Sequence, residues 1–230
     1  ATILRASFGQ GFKAPTLYQL YSEYGNTNLE AEEADGWDVG VQQRLADRFV
    51  IRATWFQRKT ENQIEYVSCS SPADAMCLVN GVMRWGYYDN IARAKAKGVE
   101  LEGTADLGPL QVAANYTWTE AKNHAEGTAT YGKLLPRRPE HQANIQVAYT
   151  WANQATLGGA IRYVGKAYDN AANTNVLQSY TLLDLRASYP VNDTFELYGR
   201  VENALDEDYE TTRNYGSPGR GAYVGVRARF

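Results

Sequence analysis

Apolar and polar residues alternate with period two through most of this 230-residue chain, and that pattern restricts it to half-buried β-strands. In residues 141–151 one face reads Ala143, Ile145, Val147, Tyr149 and Trp151; the other reads Gln142, Asn144 and Gln146. Residues 110–118 set Leu110, Val112, Ala114, Tyr116 and Trp118 against Gln111, Ala113, Asn115 and Thr117. Residues 99–107 set Val99, Leu101, Gly103, Ala105 and Leu107 against Glu100, Glu102, Thr104 and Asp106. The same alternation marks 195–202 and 222–230, and less cleanly 36–45, 48–58, 155–167 and 180–189. With 2–9 this predicts ten strands. Several reach the ~9–11 residues that a strand needs to cross a bilayer.

The polar face is too charged for a dry core. Glu100, Glu102 and Asp106 share one strand face, and Asp184 and Arg186 share another. Burying unpaired charge costs several kcal/mol, so this face needs water. The apolar face then meets either lipid or a second sheet. The connections distinguish the two. Short ones fall at Ala46-Asp47, Leu107-Gly108-Pro109, Ala152-Asn153 and Pro190–Asp193. Long ones fall at about 10–34, 67–86, 120–140, 168–179 and 204–219, and short and long alternate strictly. A soluble sandwich has no reason to do this. An outer-membrane barrel does, with tight periplasmic turns and long outer loops. The expected fold is all-β: an antiparallel transmembrane β-barrel wall of ten meander strands. An open sheet in lipid leaves two unpaired edges, so either the ten close on themselves or further strands precede them.

Composition enters here as a check. Hydrophobic residues make up 44% of the chain at a mean hydropathy of -0.49, and no apolar run suits a membrane helix. Seventeen Tyr and five Trp suit a membrane–water interface. Tyr149, Trp151, Tyr189 and Phe230 flank short turns; Trp37, Tyr116 and Trp118 lie toward the long loops. That predicts two aromatic girdles. A net charge of -3 speaks against a nucleic-acid partner. Cys69 and Cys77 lie close together in a polar stretch, which predicts a loop-closing disulfide in an oxidising compartment, with two free thiols as the alternative. The chain opens directly on a strand, without a leader, and reads either as a portion of something longer or as a mature form after processing.

Four segments stand out in order. The first runs Gly11-Phe12-Lys13-Ala14-Pro15-Thr16-Leu17-Tyr18-Gln19-Leu20-Tyr21 and continues at Gly25-Asn26-Thr27-Asn28-Leu29-Glu30-Ala31-Glu32. The second is Tyr88-Asp89-Asn90 through Gly98-Val99-Glu100. The third is Leu135-Pro136-Arg137-Arg138-Pro139-Glu140-His141. The fourth is Val201-Glu202-Asn203-Ala204-Leu205-Asp206-Glu207-Asp208-Tyr209-Glu210, with a terminal Phe230. Together they resemble TonB-dependent outer-membrane receptors, with Ala31 in place of the family's usual Pro. Residues 11–32 and Asp208-Tyr209-Glu210-Thr211 with Tyr215-Gly216 are most similar to the vitamin B12 (cobalamin) branch. The resemblance implies a larger barrel filled by an N-terminal plug, of which this chain supplies the last ten strands. It also implies outer-membrane lipid as solvent, cobalamin or a ferric siderophore as cargo, and TonB as a partner reached through the N-terminal part. The strand ending at Phe230 would be read by the barrel-assembly machinery.

No catalytic motif is visible: there is no G-x-S-x-G, no phosphate-binding loop and no nucleophile–His pair, and an enzyme is not expected. Binding is the expected chemistry. The outer loops offer Tyr18, Tyr21, Tyr24, Asn26, Tyr66, Tyr87, Tyr88, Tyr168 and Tyr215 as ligand-contact candidates. Tyr supplies contact area at low entropic cost, although such residues also anchor loops to one another. No cofactor is expected. Acidic runs at Glu30, Glu32, Glu33 and Asp35 and at Asp206, Glu207, Asp208 and Glu210 have calcium-type oxygens, but a solvated acidic loop is the simpler reading. A stand-alone ten-stranded passive pore or adhesin is the alternative of another class.

Overall fold

The computed structural model describes residues 1–69 and 75–229. Ten strands form one antiparallel sheet in chain order. They are β1 Thr2–Lys13, β2 Glu32–Leu45, β3 Phe49–Ser68, β4 Gly86–Asp106, β5 Leu110–Asn123, β6 His141–Thr150, β7 Thr156–Val164, β8 Tyr180–Pro190, β9 Phe195–Glu202 and β10 Gly221–Ala228. Each strand pairs with its sequence neighbour, and β1 and β10 are the two edges. The expected all-β meander and its count of ten are therefore what the chain adopts. Phe230 lies outside the described residues.

The register aligns the apolar positions into one continuous face. Leu4 stands beside Val41, Val41 beside Ala53, Ala53 beside Leu101, and Leu101 beside Tyr116. Further round, Ile145 meets Ile161 and Ile161 meets Leu183. Among the described residues no layer packs on this face: Leu4 and Val224 are each 79% exposed, and Ile51, Leu101, Ile145 and Leu185 are exposed as well. A soluble sheet would bury such a surface; hydrocarbon can solvate it. The opposite face is a hydrogen-bonded polar wall. Arg5 and Arg52 both donate to Gln42 Oε1, Arg52 pairs with Glu102 at 3.0 Å, and Asn144 donates to Asn115 at 3.1 Å. Gly98 sits on this wall because a Cβ there would lie 2.2 Å from the Trp118 carbonyl oxygen and against the Phe56 ring.

The short turns are closed by left-handed residues, Ala46 and Asp47 in one and Gly108 in the next. At the other end the strands outgrow the expected spans. Strands β3 and β4 run 20 and 21 residues, well past the apolar belt that ends at Trp55 and Val99. Their upper halves show no apolar alternation because water lies on both faces. A register shift between Thr60 and Gln63 interrupts the pairing there. Most of the buried residues gather at this end: Asn26, Ile64, Cys77, Tyr87, Ala94, Ala121, Ala125, Leu177 and Asn203. The molecule's compact core thus lies among the long loops.

Candidate functional site

The long-loop end is built from two assemblies of loops, each held together by its own hydrogen bonds. In the first, Thr16 and Gln19 form a capping box that starts a one-turn helix, α1 Leu17–Tyr21. The strand periodicity gives no hint of this helix, although Thr16-Leu17-Tyr18-Gln19 is its signature. Gly25 follows, where a Cβ would stand 2.5 Å from the Leu20 carbonyl oxygen. Asn26 is buried; its Nδ2 donates to the Tyr88 carbonyl at 3.1 Å and its Oδ1 accepts from the Asn28 amide at 2.9 Å. Asn90 reciprocates. Its Nδ2 donates to the Glu30 and Asn62 carbonyls at 3.1 and 2.6 Å, and its Oδ1 accepts from the Glu30 amide at 2.8 Å. Two of the motifs that carry the resemblance are thus each other's hydrogen-bond partners.

Arg84 fastens this assembly to the next loop. Its Nε donates to the Met76 carbonyl at 2.7 Å, and one terminal nitrogen donates to the Glu23 and Gly25 carbonyls at 3.2 and 3.0 Å. Its guanidinium also lies over the Tyr87 ring, 5.2 Å from the centroid. Cys69 and Cys77 form the expected disulfide, with Cα atoms 5.6 Å apart. In the chain-entropy picture a crosslink over so short a loop contributes roughly 2–3 kcal/mol. Beyond it, Leu78–Val79 pairs with Val82–Met83 around Asn80-Gly81, both left-handed. The exposed Val82 and Trp85 project from this stiffened loop.

Four of the candidate tyrosines meet here edge to face. Tyr18 packs on Tyr88 with ring centroids 6.2 Å apart, Tyr88 on Tyr66 at 5.6 Å, and Tyr66 on Tyr24 at 5.7 Å. The neighbouring Glu23 carboxylate, more than burial, pushes the Tyr24 phenol above its ordinary pKa. Tyr18, Tyr21 and Tyr66 keep exposed surface, whereas Tyr87 and Asn26 are buried and hold loops together. Tyr168 and Tyr215 lie elsewhere, in the second assembly. Tyr168 is on a short ladder with Val176, and its carbonyl accepts from the Arg137 amide at 2.6 Å; Tyr215 is exposed in the last loop.

The second assembly joins the last three long loops. Arg137 donates to Asp169 at 2.8 Å, and the Arg213 amide reaches the same carboxylate. The hydrogen bond from Arg137 is the main reason the Asp169 carboxyl is held below the usual carboxylate range. Leu134 and Asn173 exchange two bonds of 2.9 Å. Beneath these loops the polar wall holds an open cavity of about 480 Å³, lined by Arg138, Gln142, Arg162, Tyr180 and Glu210 among others. Sequence reasoning missed it because its lining comes from five separate segments, at 119, 137–142, 162–167, 177–180 and 210–211. The acidic runs are engaged in protein contacts: Glu32 pairs with Lys13 at 3.0 Å and Asp206 with Arg220 at 3.4 Å. Among the described residues no group of three or more His, Cys, Asp or Glu is placed to hold a metal ion.

An exposed apolar face, a hydrogen-bonded polar face and long loops gathered at one end together define the wall of an outer-membrane β-barrel. Residues 1–204 match the family model described as "TonB dependent receptor-like, beta-barrel", and the chain belongs to that family. It is 32% identical over 228 residues to the vitamin B12 transporter BtuB of Photobacterium profundum, covering 98% of this chain and 35% of that protein. The pyoverdine receptor FpvA of Pseudomonas aeruginosa PAO1 superposes with a TM-score of 0.75 at 23% identity, covering 100% of this chain and 34% of FpvA. The ferric-catecholate import receptor Fiu of E. coli K12 gives a TM-score of 0.74 at 21% identity, covering 100% and 33%. The chain thus spans about a third of the length of the relatives it matches. As in its family, the place of this chain is the outer membrane of a Gram-negative bacterium.

Proposed function

We propose that this chain is the wall and outer mouth of a receptor that imports a bulky, scarce nutrient, and that the nutrient is cobalamin. The observation that carries the cargo assignment is the 32% identity, sustained over 98% of the chain, to a vitamin B12 transporter. A mouth built for such cargo needs rigid apolar area with a few polar groups. The linked rings of Tyr18, Tyr88, Tyr66 and Tyr24, held by Asn26, Asn90 and Arg84, answer that description. The residues act by contact and none as a reactant. A plug and the segment that engages TonB belong to the remainder of the receptor, and the plug would rest against the polar wall.

A ferric siderophore is the second reading, favoured by fold neighbours such as FpvA and Fiu. Titration of the full-length receptor in detergent with cyanocobalamin and with ferric siderophores separates the two. Saturable binding of cyanocobalamin alone is expected, weakened by truncating Tyr18 or Tyr66 to Ala. Saturable binding of a siderophore alone would overturn the cargo assignment, and steady ion conductance by the intact receptor would favour a passive pore.

A further inference from the structure

We propose that the Cys69–Cys77 disulfide is a thiol-cleavable latch on the outer mouth, and that a small dithiol lowers the receptor's affinity for cargo by reducing it; this rests on the tyrosine cluster being the cargo contact. The crosslink lies at the root of a small folded unit. In that unit Leu78–Val79 pairs with Val82–Met83, the Arg84 amide donates to the Cys77 carbonyl at 2.9 Å, and Arg84 Nε donates to the Met76 carbonyl at 2.7 Å. These bonds all lie within 76–84, so they shape the unit without fixing it to the barrel.

At the root, two links tie the unit to Cys69, the residue just past β3. The Cys69 amide donates to the Trp85 carbonyl at 2.9 Å, and the disulfide joins Cys69 to Cys77. Arg84 carries the restraint from there to the mouth. One of its terminal nitrogens donates to the Glu23 and Gly25 carbonyls at 3.2 and 3.0 Å. Those carbonyls flank Tyr24, whose ring packs on Tyr66 and whose own carbonyl accepts from the Tyr88 amide at 3.0 Å. The disulfide thus fixes the Met76 and Cys77 carbonyls, these orient Arg84, and Arg84 holds the backbone on both sides of Tyr24. Once the crosslink is cut, the Cys69–Trp85 hydrogen bond remains as the other link at the root. Part of the ordering of the tyrosines must then be supplied by cargo binding, which weakens it.

Exposure decides which sulfur is attacked. Cys77 is buried and Cys69 is half-buried, so Cys69 Sγ is the accessible one. A thiolate of the dithiol attacks Cys69 Sγ, the S–S bond breaks, and Cys77 leaves as a thiolate that takes up a proton. The reagent's second thiol then attacks the mixed disulfide, releases Cys69 as a thiol and closes a cyclic disulfide on the reagent. Two electrons pass from the dithiol to the protein, with two protons.

The test titrates the full-length receptor in detergent with cyanocobalamin and with a ferric siderophore, before and after treatment with dithiothreitol that is then removed under nitrogen. Whichever cargo saturates the oxidised receptor should bind the reduced one about tenfold more weakly, the order expected when a few side chains must be ordered on binding. Reoxidation should restore the affinity. The variant C69S/C77S should match the reduced wild type and ignore dithiothreitol. Arg84→Met should show a similar loss while still oxidised, and reduction should then change its affinity little. Unchanged affinity in reduced wild type, with both thiols shown free by alkylation and mass spectrometry, would overturn the latch. A second full loss on reducing Arg84→Met would overturn Arg84 as its route to the mouth. Saturation by the siderophore and not by cyanocobalamin would overturn the cargo assignment alone, and the latch is then read with that siderophore.

Discussion

At the scale of single residues, the motif positions of this chain act mainly as clasps. Asn203 is an example: it is buried and left-handed, and its side chain both donates to the Glu207 carbonyl and accepts from the Glu207 amide, each at 2.9 Å. Arg84 is another clasp, tying α1's loop, the disulfide loop and β4 together. Hydrogen bonds from a charged donor contribute about 1.5–3 kcal/mol each, so Arg84→Met should loosen both loops without unfolding the strands. Limited proteolysis should cut the variant within 14–31 or 75–85 at least tenfold faster, while heat-resistant migration on gels stays unchanged. Equal cleavage rates would remove Arg84 from this role. Asp169 makes a pH-dependent clasp. Its folded pKa is depressed by Arg137, so the stabilisation is present above the unfolded carboxylate value and is lost as pH falls through the folded one. Hydrogen-exchange protection of 165–179 should therefore drop below about pH 4, and Asp169→Asn should remove that pH dependence.

At the scale of elements, the membrane belt was legible in the sequence because two solvents imposed opposite demands on alternate residues. The outward assignment of Leu101 and the inward assignment of Asn115 follow from that rule and hold in the register. Arginine on the lipid face near the bilayer midplane costs about 2–4 kcal/mol, whereas a lumenal position admits it. Leu101→Arg should lower barrel stability by that amount in denaturant titration, and Asn115→Arg should stay within about 1 kcal/mol of wild type. Equal losses at both positions would refute the two-solvent reading. What was not legible is equally physical. Gln57, Lys59 and Glu61 alternate with Arg58, Thr60 and Asn62, so where water wets both faces no apolar period remains to mark a strand. The tyrosine cluster was visible only as separate residues, because Tyr18 and Tyr88 are seventy residues apart and are brought together by long-range clasps such as Asn26, Asn90 and Arg84.

At the scale of the whole molecule, the ten strands leave β1 and β10 each with one unpaired edge. The apolar side chains along those edges, Leu4 and Phe8 on one and Val224 and Val226 on the other, place this backbone at hydrocarbon depth. An amide or carbonyl without a partner there costs several kcal/mol, so every second residue of each edge strand requires a neighbour. The length of the relatives points to further strands supplying it, and the ten would form one segment of a wider wall. Hydrogen exchange separates the segment from the whole. In the full-length receptor, the amides of β1 and β10 should exchange as slowly as those of the central β5. In the 230-residue segment alone, held in detergent, alternate amides of β1 and β10 should exchange orders of magnitude faster while β5 stays protected. Uniform protection across all ten strands of the isolated segment would mean that β1 and β10 pair with each other, and that this wall closes by itself.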